Sequence, residues 1–306
     1  MKTYIILILS YFTISIAPAK EYRIMTSDSV QLYAMVKGNG APCVYFHGGP
    51  GSGSYWLEKY FGDYLEKHFT MIYIDQRGVG RSGSPANGDY SMERMLKDFE
   101  EVRAHLCFGQ WITFGHSFGG ILQVAYCEKY PKSTKAMIMM NCTLCMEESF
   151  RNSWLPKISE FLSERYIDDP TDSHEAIINK MRNLIPKLDS IGASWKMAYA
   201  SAKDEELLNS TYGEIANWNS GFASVALAVD DYWKDFRPQT SAIKVPVLFF
   251  HGNLDWTIGV DHYKGVRFPN MMLREANCSH IPFLSERAVA ENAISEFIDR
   301  YGLNKE

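Results

Sequence analysis

Apolar and polar stretches alternate along the first half of the chain in a way that predicts strands and helices in turn. Two short segments of alternating polarity, residues 22–26 and 30–36, predict a β-hairpin. A short apolar run at residues 43–46 then indicates a buried strand. Beyond it, the pattern predicts helices at 55–67, 92–106 and 120–129 and strands at 71–74, 111–114 and 136–140. This order is typical of a parallel sheet that is covered by helices on both faces.

The pattern changes near Asn141, where strand signals give way to helical ones. Residues 143–240 show helical periodicity at 153–164, 175–185 and 222–233. Strands at 246–250 and 271–273 and helices near 260–266 and at 286–301 then resume the earlier order. We therefore predict one α/β domain, formed by residues 20–142 and 241–306 and interrupted by a helical cap at 143–240. Because open α/β sheets place their sites at the carboxyl edge of the sheet, we expect the cap there.

The first 19 residues have the three-part pattern of a secretory signal peptide. Lys2 provides a positive start, residues 4–16 are almost wholly apolar, and Ala17-Pro18-Ala19 offers the small residues that a signal peptidase reads. The alternative is a transmembrane anchor, but this apolar run is shorter than the roughly 20 residues that span a bilayer. We therefore expect a secreted or periplasmic protein with no stable membrane insertion after signal cleavage.

Composition narrows the class of protein without identifying it. The 306 residues are 46% hydrophobic and 22% charged, which is the balance of a globular protein with a sizeable core. A net charge of −5 offers no excess of basic residues, so nucleic acid is not expected as a partner. The six cysteines lack the spacing of a metal site, so we predict no metal or cofactor and interpret them as small buried residues. Cysteine pairing and oligomeric state stay open.

A nucleophile motif lies between a predicted strand and a predicted helix. Gly115-His116-Ser117-Phe118-Gly119 matches G-x-S-x-G, in which the serine occupies a tight strand-to-helix turn. The motif alone is weak because glycine and serine are common, but its context is the one it requires. We therefore predict Ser117 as the nucleophile, and a structural turn is the alternative.

A serine hydroxyl needs a base to become reactive, and the base is normally oriented by an acid. In this architecture the chain order is serine, acid, histidine. The histidines after Ser117 are His174, His251, His262 and His280. We predict His280 as the base, because it lies on a loop after the last predicted strand. Asp255 follows the strand at 246–250 and is the predicted acid, with Asp261 as the fallback.

A glycine-rich segment after the first buried strand predicts an oxyanion hole. Backbone N–H groups stabilise the oxyanion, and His47-Gly48-Gly49-Pro50-Gly51 forms a close turn that can present them. Gly49 is one predicted donor, and Phe118, directly after the nucleophile, is the other. We interpret His47 as a structural residue that supports this loop.

Together these motifs resemble the α/β-hydrolases and, more narrowly, the proline iminopeptidase family. The resemblance is carried by His47-Gly-Gly-Pro-Gly51, Asp75-Gln-Arg-Gly-Val-Gly-Arg-Ser82, Gly115-His-Ser-Phe-Gly-Gly120, Gly252-Asn-Leu-Asp255 and Ser279-His280. It implies the α/β-hydrolase fold: a mostly parallel central sheet flanked by helices, with an inserted helical cap. It also implies release of an N-terminal residue, often proline, from short peptides. Asp75 and Arg77 are then expected to play supporting roles beside the site.

The chain departs from this family where a peptide amine is expected to bind. Relatives use acidic residues there, whereas Trp218 is followed by Asn219 and Asp255 by Trp256. The candidate substrate-binding residues are Glu214, Trp218, Asp230 and Trp256, with Asp231 as a further acid. The predicted function is an exported serine aminopeptidase acting on a short peptide or other small molecule. The alternatives are a serine esterase, lactonase or amidase for small uncharged acyl groups and, more remotely, an inactive binding protein on the same scaffold.

Overall fold

The computed structural model describes residues 19–303, which contain one eight-stranded sheet. The strands are β1 (Lys20–Met25), β2 (Gln31–Gly38), β3 (Ala41–Phe46), β4 (Phe69–Asp75), β5 (Trp111–Ser117), β6 (Thr134–Cys142), β7 (Val247–Gly252) and β8 (Met271–Ala276). Their order across the sheet is β1-β2-β4-β3-β5-β6-β7-β8. The strands β1 and β2 pair antiparallel, and β2 is antiparallel to β4. From β4 to β8 every neighbouring pair is parallel.

The central strands are apolar because both faces of the sheet are covered. Side chains alternate between the faces, so β3 contributes to two separate cores. Val44 and Phe46 pack in one core with α2 and α3, helices Met92–His105 and Gly119–Lys129. Cys43 and Tyr45 point into the other core, with the helices α1 (Tyr55–Leu65) and α9 (Arg287–Tyr301). The sheet thus confirms the predicted mostly parallel α/β architecture.

The helices of the described chain lie mainly where the apolar periodicity predicts them. They are α1 (Tyr55–Leu65), α2 (Met92–His105), α3 (Gly119–Lys129), α4 (Met146–Ser149), α5 (Leu155–Phe161), α6 (His174–Ser190), α7 (Ala202–Ser210), α8 (Gly221–Val225) and α9 (Arg287–Tyr301). One π-turn, Phe150–Trp154, joins α4 to α5. Between residues 19 and 303 no helix is long and apolar enough to cross a membrane. The predicted signal peptide, except for its last residue, lies outside the described residues.

The segment between β6 and β7, residues 143–246, contains helices and turns and no strand. We call it the inserted segment. The helix predicted at 222–233 is wrong as a single helix: α8 ends at Val225, and two 3-10 turns follow at Ala226–Ala228 and Asp230–Trp233. Val229 has an extended backbone between those turns. This break brings the buried Tyr232 to the core, where its hydroxyl donates to the carbonyl of Tyr90 at 2.7 Å. Tertiary packing therefore outweighs the local helical pattern.

The helix predicted near 260–266 is likewise shorter in the structure. Only His262–Gly265 forms a turn of 3-10 helix. The side chain of His262 is buried against the inserted segment, where the N–H of Leu144 donates to its Nε2 at 2.8 Å. The ring thus links the connection between β7 and β8 to the inserted segment, which a helical pattern does not reveal.

Candidate active site

Ser117 occupies the sharp turn between β5 and α3. It ends β5, and α3 begins at Gly119. Its φ is +56°, a left-handed conformation that costs strain in a residue with a side chain. The turn is possible because small residues surround it: a Cβ at Gly119 would lie 2.0 Å from the carbonyl oxygen of Phe46. The chain therefore places the Ser117 hydroxyl at the carboxyl edge of the sheet.

Asp255 and His280 form a buried pair beside this turn. His280 Nδ1 donates to Asp255 Oδ2 at 2.9 Å. The other carboxylate oxygen of Asp255 accepts the N–H groups of Thr257 and Ile258, both at 3.0 Å. The carboxylate can only accept, so Nδ1 carries the ring proton. In a neutral imidazole Nε2 then has no proton and acts as an acceptor. This is the arrangement that a general base needs.

One cavity is lined by two of the predicted catalytic residues, Ser117 and His280, and has a volume of about 230 Å³. Asp255 lies behind it and reaches it through its hydrogen bond to His280. Gly49, with a φ of +113°, lines the same cavity and lies after β3, as predicted for an oxyanion loop. Phe118 follows Ser117 at the start of α3. We call this space the Ser117 cavity.

The other histidines considered from the sequence occupy different positions. His174 stacks on Trp233 with ring centroids 4.2 Å apart. His251 stacks on Tyr263 at the same separation. His262 hydrogen-bonds Glu148 through Nδ1 and the backbone of Leu144 through Nε2. Asp261, the fallback acid, is exposed and pairs with Lys264 at 2.7 Å.

His47 is fixed inside the loop that it introduces. The N–H of Gln76 donates to its Nε2 at 3.1 Å, so the ring proton lies on Nδ1 and points to the carbonyl of Gly48, also at 3.1 Å. The side chain is fully buried, and this burial lowers the pKa of His47 to about 4. His47 is therefore neutral at physiological pH and supports the loop that carries Gly49.

The second family motif forms a charged support behind the site. Burial raises the pKa of the Asp75 carboxyl, but hydrogen bonds from Arg81 and Ser54 outweigh that effect and hold it below its usual range. The N–H and Oγ of Ser54 donate to Oδ1 at 2.9 and 2.7 Å, and Arg81 Nε donates to Oδ2 at 2.7 Å. Arg77 is fully buried and pairs with Asp98 at 2.5 Å. Asp75 thus ties the end of β4 to the start of α1.

Asn141 is a site residue that the sequence analysis did not identify. It lies in β6, is buried, and has a φ of +47°. Its amide nitrogen donates to the carbonyls of Ser279 and His280 at 2.9 and 3.0 Å. Its amide oxygen accepts the N–H of Gly252 at 2.8 Å. One side chain therefore joins the end of β7, which leads to the predicted acid, to the loop after β8, which carries the predicted base.

A second histidine also holds the His280 loop. His116 Nε2 lies 3.0 Å from the carbonyl of His280, and since a carbonyl only accepts, the ring donates there. Burial lowers the pKa of His116 far below its usual range, so the ring stays neutral. On the other side of the loop, the N–H and Oγ of Ser279 donate to Glu286 at 2.9 and 2.6 Å. The polar residues at strand ends were the available sequence signal, but the partners of Asn141 are 111 to 139 residues away along the chain.

The predicted substrate-binding acids lie away from the Ser117 cavity. Glu214 accepts from Tyr55 Oη at 2.8 Å and pairs with Lys59 at 2.5 Å. The hydrogen bond from Lys59 lowers the pKa of Glu214, whose charge is thus already paired. Asp230 is exposed. Neither acid lines the cavity in the described structure.

The two predicted tryptophans border other cavities. Trp218 lines a neighbouring space of about 450 Å³, which shares Gly49 and Tyr212 with the Ser117 cavity. Trp256 lines a separate space of about 240 Å³, and the ammonium of Lys157 lies 4.0 Å from its ring centroid. Of these two residues, Trp218 is the one adjacent to the candidate site.

Asn219 has a structural role where the family resemblance implies an acid. Its backbone exchanges two hydrogen bonds of 2.9 Å with Gly80. Its amide nitrogen donates to the carbonyl of Ser82 at 2.8 Å. The residue therefore fastens the inserted segment to the loop at 75–82.

In residues 19–303 no group of three or more His, Cys, Asp or Glu is placed to hold a metal ion. The six cysteines are unpaired; five are buried and Cys107 is exposed.

Comparisons with known proteins agree with this fold. A family model described as alpha/beta hydrolase fold matches residues 42–287. A proline iminopeptidase from Saccharolobus solfataricus is 28% identical over 292 residues, or 88% of each chain. One from Neisseria gonorrhoeae is 33% identical over 135 residues, which are 43% of this chain and only 42% of that relative.

Solved structures show the same fold at low identity. A proline iminopeptidase-related protein from Thermus thermophilus superposes with a TM-score of 0.76 and 17% identity, covering 94% of this chain and 99% of that one. An esterase from Exiguobacterium antarcticum has a TM-score of 0.67 and 22% identity, covering 90% and 98%.

Protonation of His47 is expected to destabilise the protein in acid. Its pKa is about 4 when folded and near 6.5 when unfolded, so the unfolded chain binds the proton more tightly. The stability is fully present above about pH 6.5 and is lost as the pH falls towards 4, by about 3 kcal/mol in total. Urea unfolding across this range should show a shallower dependence in His47→Gln, while the exposed His105→Gln keeps the wild-type slope. Equal slopes in all three proteins would contradict the assignment.

The amide of Asn141 is expected to be required for reactivity at Ser117. In Asn141→Asp, carboxylate oxygens would face the carbonyls of Ser279 and His280, while the acceptor for Gly252 is retained. We expect the rate of Ser117 labelling by a fluorophosphonate to fall about tenfold to hundredfold. Asn277→Asp is the matched control, because Asn277 is exposed on the loop that carries Ser279 and His280. A folded Asn141→Asp variant that labels at the wild-type rate would refute this role.

Proposed function

The chain belongs to the alpha/beta hydrolase fold family, and on that premise we propose that it is a serine hydrolase with Ser117 as nucleophile, His280 as base and Asp255 as orienting acid. The observation that carries the proposal is the position of Ser117, strained at φ +56°, in one cavity with His280, which Asp255 holds at 2.9 Å. The relatives named proline iminopeptidase support the same class of chemistry.

The proposed reaction proceeds through an acyl-enzyme. Ser117 Oγ attacks the substrate carbonyl while His280 Nε2 takes its proton, and Asp255 stabilises the imidazolium that forms. The backbone N–H groups of Gly49 and Phe118 stabilise the oxyanion; a donor of this kind is typically worth about 3–4 kcal/mol of barrier. His280 then protonates the leaving group as the bond to the carbonyl carbon breaks. A water molecule then gives a proton to His280 Nε2 and attacks the acyl carbon. The bond from that carbon to Ser117 Oγ breaks, His280 returns the proton to Oγ, and the acid product leaves.

The first candidate substrate is a short peptide from which one N-terminal residue is released. The Ser117 cavity, at about 230 Å³, is smaller than the roughly 300–1,000 Å³ of sites for drug-sized ligands. It therefore suits a small acyl group such as a single amino-acid residue. The named activity of the Saccharolobus relative favours an aminopeptidase of the proline iminopeptidase type.

The second candidate is a small uncharged ester, lactone or amide. Among the residues that line the Ser117 cavity there is no Asp, Glu, Lys or Arg. An ammonium group that entered would lose its hydration without gaining a counter-ion, which is costly. This lining favours acyl groups that carry no charge.

We also propose that the segment at residues 1–19 directs export, on the strength of Lys2, the apolar residues 4–16 and Ala17-Pro18-Ala19. The mature protein recovered outside the cytoplasm should begin at Lys20, as read by N-terminal sequencing. Replacing Ala19 by Arg should block cleavage. A full-length chain that retains Met1 and stays in the cytoplasm would contradict export.

Substrate profiling separates the two candidates. Prolyl and alanyl naphthylamides with a free amine should be hydrolysed faster than their N-blocked forms if the protein is an aminopeptidase. Blocked and uncharged acyl substrates should be hydrolysed at least as well if the second candidate holds. Absence of turnover on every unblocked aminoacyl substrate would exclude the aminopeptidase.

Ser117→Ala is the control for that comparison. Loss of the nucleophile should lower kcat by several orders of magnitude on any substrate that the wild type cleaves. A folded wild-type chain that reacts with no fluorophosphonate would instead indicate an inactive binding protein.

A further inference from the structure

Two tyrosines of the inserted segment face the Ser117 cavity. Tyr199 follows the turn Ser194–Met197, and Tyr212 lies in the turn Thr211–Glu214. Both line the cavity together with Ser117 and His280, and both are partly exposed. In the described chain neither phenol oxygen has a hydrogen-bond partner among the side-chain or backbone groups. Each hydroxyl is thus free to bind a molecule in the cavity.

The position of Tyr199 is fixed from both catalytic loops. The carbonyl of its neighbour Ala198 accepts the N–H of Ile281, the residue after His280, at 3.0 Å. The carbonyl of Met197 accepts from the hydroxyl of Thr257, two residues after Asp255, also at 3.0 Å. The backbone that carries Tyr199 is therefore held against the loops of the proposed acid and base.

Tyr212 is positioned by its contact with Trp218. Its ring meets Trp218 edge to face, with centroids 4.9 Å apart. It also lines the neighbouring cavity that Trp218 borders, so it lies where the two spaces adjoin. The other residues that the inserted segment contributes to the Ser117 cavity, Ala198 and Leu208, are apolar. The two hydroxyls are consequently the polar contribution of this segment to the cavity.

Both phenols are neutral under ordinary conditions. Burial raises the pKa of Tyr199 and of Tyr212 above the usual value, so the hydroxyls keep their protons. Each can donate one hydrogen bond and accept another without introducing charge. The polarity of the cavity therefore matches a neutral, hydrogen-bonding group better than an ammonium or a carboxylate.

We propose that the hydroxyls of Tyr199 and Tyr212 form an acyl-binding subsite that selects small acyl groups bearing an uncharged hydrogen-bonding group next to the scissile carbonyl. Hydroxyacyl and N-acylated aminoacyl groups belong to this class. The inference rests on the proposed Ser117 hydrolase function and specifies its substrate class. A simple alkyl acyl group would still react with Ser117 but would leave both hydroxyls unpaired in the cavity.

The test uses three p-nitrophenyl esters that share a leaving group: propionate, 2-hydroxypropionate and alaninate. The wild type should favour 2-hydroxypropionate in kcat/KM over propionate and over alaninate in its ammonium form. Tyr199→Phe and Tyr212→Phe should each lower kcat/KM for 2-hydroxypropionate roughly threefold to tenfold and change propionate by less than about twofold. A purely structural role would lower both values together.

Tyr60→Phe is the matched control. The Tyr60 hydroxyl donates to the carbonyl of Leu207 in the inserted segment at 3.1 Å, but Tyr60 does not line the cavity. This variant should leave the ratio of the two kcat/KM values unchanged. If either cavity variant proves unstable, protection of Ser117 from fluorophosphonate by 2-hydroxypropionamide, compared with propionamide, provides the same comparison in the wild type. Equal protection by the two amides would overturn the subsite.

The outcomes distinguish the subsite from the hydrolase itself. If the wild type hydrolyses propionate and Ser117→Ala does not, the proposed chemistry stands independently of the tyrosines. Equal losses on both esters, unchanged values in both tyrosine variants, or a preference for charged alaninate would then overturn the subsite alone. If the wild type neither hydrolyses an ester nor labels with fluorophosphonate, the hydrolase and its subsite fall together.

Discussion

The buried amide of Asn141 is the interaction on which the geometry of the site depends. Parallel strands bring their carboxyl ends to one edge of the sheet, but the loops that leave this edge are otherwise independent. Asn141 lies near the end of β6 and bonds both the last residue of β7 and the loop after β8. A left-handed backbone at this residue, φ +47°, directs the amide to these partners. Asn141 thus helps to position Asp255 and His280 relative to each other.

Buried ion pairs lie behind the site, whereas the Ser117 cavity itself has no Asp, Glu, Lys or Arg in its lining. Behind the site, Asp75, Arg77, Arg81 and Asp98 form buried ion pairs that hold the end of β4, the loop after it and α2. Such pairs are costly to break because the remaining partner would be left charged in the interior. The Ser117 cavity, in contrast, is lined by two histidines and by hydroxyl-bearing and apolar residues, with no Asp, Glu, Lys or Arg among them. The ion pairs therefore stabilise the scaffold and lie outside the cavity lining.

Local pattern was sufficient to predict the elements that carry Ser117, Asp255 and His280. Strand and helix signals depend on neighbouring residues, and the G-x-S-x-G motif carries its own context. What the sequence did not reveal depends on contacts between distant residues. Asn141 meets Ser279 across 138 positions, and the helix predicted at 222–233 breaks because Tyr232 bonds Tyr90 across 142. The negative charge of Glu214 makes it a candidate for binding an amine, but that charge is already paired with Lys59 on α1.

Asn219 links this long-range architecture to substrate selection. Its amide nitrogen donates to the carbonyl of Ser82, and its amide oxygen accepts the N–H of Gly221. A carboxylate has no hydrogen to donate and would place a charge against the Ser82 carbonyl. Fastening the inserted segment through this side chain and binding an ammonium with an acid at the same position are therefore mutually exclusive. In this chain the position secures the segment that carries Tyr199 and Tyr212, and with it the proposed neutral recognition of the acyl group.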